Sequence, residues 1–276
     1  KLNYDGQIKV KVTLKNKSLN VVKEQEMFLA DIPLMTDHGT FIINGVERVI
    51  APQLARSFGI FFTGNEVKGK NYFGAKVIPA RGVWMEIETD TDGTIYCRID
   101  RKRKFPVTSL LLILGAETNE KIMDLFKGNP DAIKVVEMTL SKDHAKTKDE
   151  AYMEIHKRLR DGDLATAENA RAFVQALLKA DRYDISRVGR FRFNKRFSKP
   201  MDEKELERRT LSIDDVATTI AHIVTLTTTP DTQPDDIDHL GSRRVRYVGE
   251  LLEQRIRLGM AQMKRNIQDR MSTIDA

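Results

Sequence analysis

Cysteine is almost absent: Cys97 is the only one in 276 residues. That excludes an internal disulfide and a cysteine-held zinc cluster, and fits a reducing, cytoplasmic setting. Tryptophan is equally scarce, with Trp84 alone. The five histidines (His38, His144, His156, His222 and His239) are scattered without HExxH spacing. No apolar run reaches membrane-spanning length, and LLLILG from Leu110 suits a buried helix. Phosphate-cradling glycine loops and a GxSxG nucleophile are missing, and GTFIING reads as a hairpin with glycines at turns. Repeats and low-complexity segments are missing too. No secretory leader opens the chain; KLNYDGQIKVKV alternates as a strand entered in mid-pattern, so a piece of a larger protein is expected.

What is present is 41% hydrophobic and 31% charged residues, the balance of a soluble globular protein. The formal charge of +6 favours a polyanionic partner only where the basic residues cluster. Ile8, Val10, Val12 and Leu14 alternate with polar residues, predicting a half-exposed strand, and VVKEQEMFLADIPLM continues in extended style. Hairpins are predicted about Asn44-Gly45 and Asp92-Gly93. Helices are predicted over TSLLLILG, NEKIMDLFKG, DEAYMEIHKRLR, ATAENARAFVQALLKA and LSIDDVATTIAHIVTL, the last opening with Ser212 and Asp215 at capping-box spacing. Leu252, Ile256, Met260, Met263, Ile267 and Met271 mark a final amphipathic helix whose stripe is expected to be core. Strands followed by helices predict an α+β protein, and TLTTTPDTQPDDID is the linker candidate.

Three constellations could carry chemistry. In DDIDHLGSRRVRYVGE, Asp235, Asp236, Asp238 and His239 stand before Arg243, Arg244 and Arg246. The acids could ligate a metal, but the arginines compete with a cation. Asp238 could cap a helix near His239, a purely structural role. As a nucleic-acid surface, the three arginines supply guanidinium forks, and an adjacent aspartate could orient one or itself accept from a base amino group, which base-edge reading needs. RIDRKRKFP gathers Arg98, Arg101, Lys102, Arg103 and Lys104, a phosphate-tracking patch. DRYDISRVGRFRFNKRF interleaves Arg187, Arg190, Arg192, Lys195 and Arg196 with Tyr183, Phe191, Phe193 and Phe197. This suits either phosphate contact with base stacking or a strand with aromatics inward and charge outward. Trp84 is a stacking platform or a core anchor.

These segments, with KEQEMFLADIPLMTDHGTFIINGVERVI and IPARGVW, occur in an order that resembles the β subunit of bacterial DNA-directed RNA polymerase. The resemblance implies two domains, with residues 1–50 and 245–276 forming a protrusion and residues 51–244 a lobe inserted within it. It implies a part of a nucleotidyltransferase in transcription that itself holds no catalytic residue or cofactor, the magnesium belonging to the β′ subunit. The implied partners are downstream duplex DNA, the non-template strand and the α, β′, ω and σ subunits. A non-template guanine would be held by Arg56, Trp84, Asp100, Asp238 and Arg243, converging at the lobe–protrusion junction. Val22, Lys23 and Glu24 would dock transcription-repair coupling factor or a similar regulator on a strand edge. The alternative is a non-catalytic docking module with only incidental DNA affinity. Phe58 and Pro52 depart from the family pattern, which usually has proline and serine there, so the loop around Arg56 is expected to differ.

Overall fold

The structure, a computed structural model, describes residues 2–16 and 20–274. The chain forms an α+β fold divided into two compact units, one from Lys1–Ala55 with Val245–Ala276, the other from Arg56–Arg244. In the first unit, β1 (Asp5–Asn16) and β2 (Val21–Pro33) make an antiparallel ribbon, with a bulge after Ile8. The alternating face predicted for β1 is half-buried at Ile8 and Val10 but open at Val12 and Leu14. β3 (Phe41–Ile43) and β4 (Val46–Arg48) form a tight hairpin. Its turn residues Asn44 and Gly45 both have positive φ, 55° and 79°, as the twist of a two-residue hairpin loop requires. Phe41 is the only large apolar side chain of this unit that is buried among the described residues.

β5 (Gln53–Arg56) leads into the second unit, whose five-stranded antiparallel sheet comprises β6 (Gly59–Val67), β7 (Lys70–Ile78), β8 (Met85–Thr89), β9 (Ile95–Ile99) and β10 (Phe105–Pro106). β9 presents one face of the sheet to the core. Ile95, Cys97 and Ile99 are buried while Tyr96 and Arg98 stay half-exposed, the period of two that a pleated strand imposes. The helices are α1 (Val107–Leu111, passing into a π-turn at Leu112–Ala116), α2 (Asn119–Asp124), α3 (Pro130–Lys142) and α4 (Lys148–Leu159). They continue with α5 (Ala167–Leu178), α6 (Ser186–Arg196), α7 (Glu203–Leu206) and α8 (Ile213–Thr228). One continuous core runs from Phe62, Met85 and Ile87 on the sheet through Leu110–Leu112, Ile155 and Ile220 on the helices. A Leu→Ala change at such a position costs about 2–5 kcal/mol.

Helix starts follow the expected chemistry. Thr147 with Glu150, and Ser212 with Asp215, close reciprocal capping boxes on α4 and α8. α3 lies outside the predicted helices, although Asn129 caps it and Pro130 occupies its first turn. Two predictions need correction. The DRYDISRVGRFRFNKRF segment is no strand: its alternation of Phe and Arg hides a three-four spacing that places Arg190, Phe193 and Phe197 along one side of α6. The first four residues of the proposed linker are helix, because α8 runs through Thr228 with threonine hydroxyls returning to carbonyls one turn earlier.

After a 3₁₀ turn at Leu240–Ser242, β11 (Arg243–Arg246) pairs with β5, and α9 (Val248–Ile274) ends the first unit. The apolar stripe of α9 was expected to be core. Among the described residues Ile256, Met260, Ile267 and Met271 are instead about half exposed, since no side chain covers them there.

Candidate nucleic-acid interface

All five residues of the expected guanine pocket belong to the second unit. They fall into two groups. Trp84 and Asp100 extend the β8–β9 ladder by one step beyond the Met85–Ile99 pair. Asp100 N–H donates to Trp84 O at 2.9 Å, and Trp84 N–H donates to Asp100 Oδ1 at 2.9 Å. The backbone then turns through two left-handed residues, Asp100 (φ 48°) and Arg101 (φ 59°), closed by Lys102 N–H to Ile99 O at 3.0 Å. An arginine in this region is strained, and such strain gathers at functional positions. The Trp84 indole is half-buried, neither core anchor nor fully free.

The segment carrying Trp84 is pinned to the approach of α6. Arg81 bridges to Asp184, whose Oδ1 accepts from Ser186 N–H at 2.7 Å at the start of that helix. Gly82 has φ 115°, and a Cβ there would come within 2.8 Å of the Tyr183 ring.

The second group comprises Arg56, Asp238 and Arg243. Arg56 and Arg243 stand on the paired strands β5 and β11, and just beyond them Ser57 N–H donates to Ser242 O at 2.9 Å. Arg243 Nη2 donates to Asp238 Oδ1 at 3.2 Å, with the aspartate side chain 84% exposed. Arg56 is exposed and makes no ion pair among the described residues. The expected cap role of Asp238 is not found. Asp236 Oδ1 accepts from the N–H groups of Asp238 and His239, and His239 Nδ1 accepts from Gly241 N–H. A carboxylate two residues upstream reaches these donors, which frees Asp238 for Arg243.

No hydrogen bond or ion pair joins the two groups among the described residues. Each is nevertheless fastened to α6, one at the residues just before Ser186 and the other at Arg192, whose Nη1 donates to Gly241 O at 3.0 Å. At 1.5 Å per residue the attachments lie roughly 9 Å apart along the helix.

Three cations of DRYDISRVGRFRFNKRF are consumed within the fold, while Arg187 and Lys195 are exposed and make no ion pair among the described residues. Arg190 is fully buried against Asp215, Arg192 holds Gly241, and Arg196 holds Asp235. RIDRKRKFP is different. Arg98, Arg101, Lys102, Arg103, Lys104 and Arg158 line one open concavity. Arg103 pairs with Asp161, and Lys104 pairs with Asp90 while lying 4.6 Å over the Tyr96 ring. Arg101 and Lys102 have no ion-pair partner among the described residues. These two, rather than Lys104, are the cations of this patch left open to a phosphate among the described residues. Replacing both with alanine is expected to flatten the dependence of log K on log salt by about 0.7–0.9 for each phosphate left without its cation. A salt titration with single-stranded and duplex DNA checks this, and an unchanged slope contradicts it.

The chain is similar to the proteins named DNA-directed RNA polymerase subunit beta from Syntrophomonas wolfei, 42% identical over 276 residues, and Clavibacter michiganensis, 39% over 289. Clavibacter sepedonicus has another such relative at 39%. Each alignment covers 99% of this chain but 24% of the relative, so the chain spans about a quarter of the length of these proteins. A model described as RNA polymerase Rpb2, domain 2, matches residues 62–246, more than half of the chain, and with that span the chain belongs to the RNA polymerase Rpb2 domain 2 family.

Proposed function

We propose that this chain is the lobe and protrusion of a cytoplasmic bacterial RNA polymerase β subunit, the lobe inserted within the protrusion. It holds the non-template strand and downstream duplex, alongside α, β′, ω and σ, while nucleotidyl transfer with its magnesium proceeds in β′. Its two units, which divide at Ala55 and at Arg244, support this arrangement. The observation that carries the reading is the exposed Asp238–Arg243 pair. An aspartate accepts from the amino donor of guanine, and an arginine donates to its O6 and N7 acceptors, so a carboxylate beside a guanidinium favours that base. Trp84 supplies a half-buried ring on which a base stacks, and stacking is worth about 1–3 kcal/mol per base. Arg56 adds a cation without an ion pair among the described residues, and Asp100 holds the Trp84 backbone with one carboxylate oxygen.

Trp84 is the sole tryptophan and therefore its own reporter. Titrating the chain with a guanine-containing single strand is expected to quench its emission more strongly than the same strand with thymine at that position. Emission that stays constant at saturating DNA contradicts the reading.

One observation favours a docking role as well. β2 hydrogen-bonds along its length to β1 alone, so the edge carrying Val22, Lys23 and Glu24 is open among the described residues. Val22 is 60% exposed, and an open edge accepts an added strand from a partner. Glu24 pairs with Lys11 at 2.7 Å, an exposed contact worth about 0–1 kcal/mol. Lys23→Glu with Glu24→Lys is expected to abolish binding of a transcription-repair coupling factor while leaving the unfolding midpoint nearly unchanged. Pull-down with the regulator checks this, and retained binding refutes the docking role.

A further inference from the structure

We infer that Arg192 and Arg196 of α6 are positioning residues that set the base specificity of Asp238 and Arg243 without touching the base. The inference rests on the proposed base reading and adds what holds the readers in place. Asp238 and Arg243 are exposed, and their side chains hydrogen-bond to each other. Their aim therefore comes from the backbone between Asp235 and Ser242, and α6 grips that backbone at both ends.

At the first end, Arg196 Nη1 donates to Asp235 Oδ1 at 2.9 Å and to Oδ2 at 2.7 Å. Asp235 in turn locks to β6, its Oδ2 accepting from Phe62 N–H at 2.8 Å and its own N–H donating to Phe62 O at 2.9 Å. The Arg196 guanidinium lies 4.5 Å from the centre of the Phe62 ring, which holds the fork flat. At the second end, Arg192 Nη1 donates to Gly241 O at 3.0 Å and Nη2 to Ser242 Oγ at 3.4 Å, over the Phe61 ring at 5.1 Å. The next residue is Arg243. Both arginines are i and i+4 on one helix, so they act as a single rigid edge. That helix meets β6 where Gly189 faces Gly59, a Cβ on Gly189 lying 3.3 Å from the Gly59 nitrogen. Binding constellations lose selectivity when their support loosens by well under an ångström.

These hydrogen bonds also reverse the first expectation for Arg192 and Arg196. Their donors are spent on the protein, so neither is left for a phosphate.

The test measures the affinity of the whole 276-residue chain for two single strands that differ only by guanine or thymine at one position. The ratio is read, so any uniform change in phosphate attraction cancels. Arg192→Ala is expected to lower that ratio roughly three- to tenfold, the worth of one or two hydrogen bonds. Arg192→Lys, which keeps the charge but not the planar fork, is expected between Ala and the parent. Urea unfolding confirms that each variant is folded, and Arg192→Gln carries the same test if Arg192→Ala does not fold. A parent ratio of one overturns the base reading itself, and this inference with it. A parent ratio above one that a folded Arg192 variant leaves unchanged overturns the positioning role alone.

Discussion

Arg190→Met is expected to destabilise the second unit by about 3–5 kcal/mol, the cost of leaving a buried charge without its partner. Arg190 and Asp215 are both fully buried and meet in a two-pronged pair at 2.8 and 2.9 Å. Arg190 spends its remaining donors on Arg208 O and Thr210 O, at 2.8 and 2.7 Å. One guanidinium thus ties α6 to the start of α8 and to the chain leading into it. Asp215→Asn is expected to cost a similar amount, although asparagine can still accept from Ser212 N–H in the capping box. The double variant is expected to recover part of the loss, because no unpaired charge then stays buried. Urea denaturation of the four proteins checks the cycle, and additive losses contradict it.

The same pair predicts an acid limb. Burial pushes the Asp215 carboxyl up, but the Arg190 hydrogen bonds and charge, Ser212 N–H and Arg208 outweigh it, so the pKa lies below the ordinary 3.8. A folded pKa below the unfolded one adds stability that is complete above about pH 4. That stability is lost as pH falls through the folded value. Asp215→Asn is accordingly expected to be less acid-sensitive than the parent below pH 4, in unfolding curves collected across that range.

Sequence periodicity was a good guide where one face is buried. The two hairpins, the capping box at Ser212–Asp215 and the pairing of α4 with α5 follow from local rules that the core then reinforces. It misled at α6, where Phe and Arg alternate in type while burial follows helical spacing, and Arg190 turns inward because Asp215 waits there. It also misassigned the cap before Gly241, since the acids of DDIDH compete for the same N–H groups and only backbone geometry awards them to Asp236. Charge chemistry made the acids and arginines of DDIDHLGSRRVR legible as a candidate, and the family resemblance singled out Asp238 and Arg243. The clamp behind them was not legible, because Arg192 and Arg196 lie some forty to fifty positions upstream and meet the loop only in the folded chain.

The central claim is that Asp238 and Arg243 read a guanine. The most direct measurement is the affinity of Asp238→Ala and the parent for four single strands identical except for one base. The parent is expected to favour guanine. The variant is expected to lose about 1–3 kcal/mol for that base, roughly five- to 150-fold, and to bind the other three as before. Equal losses for all four bases, or an undiminished guanine preference, would contradict the account.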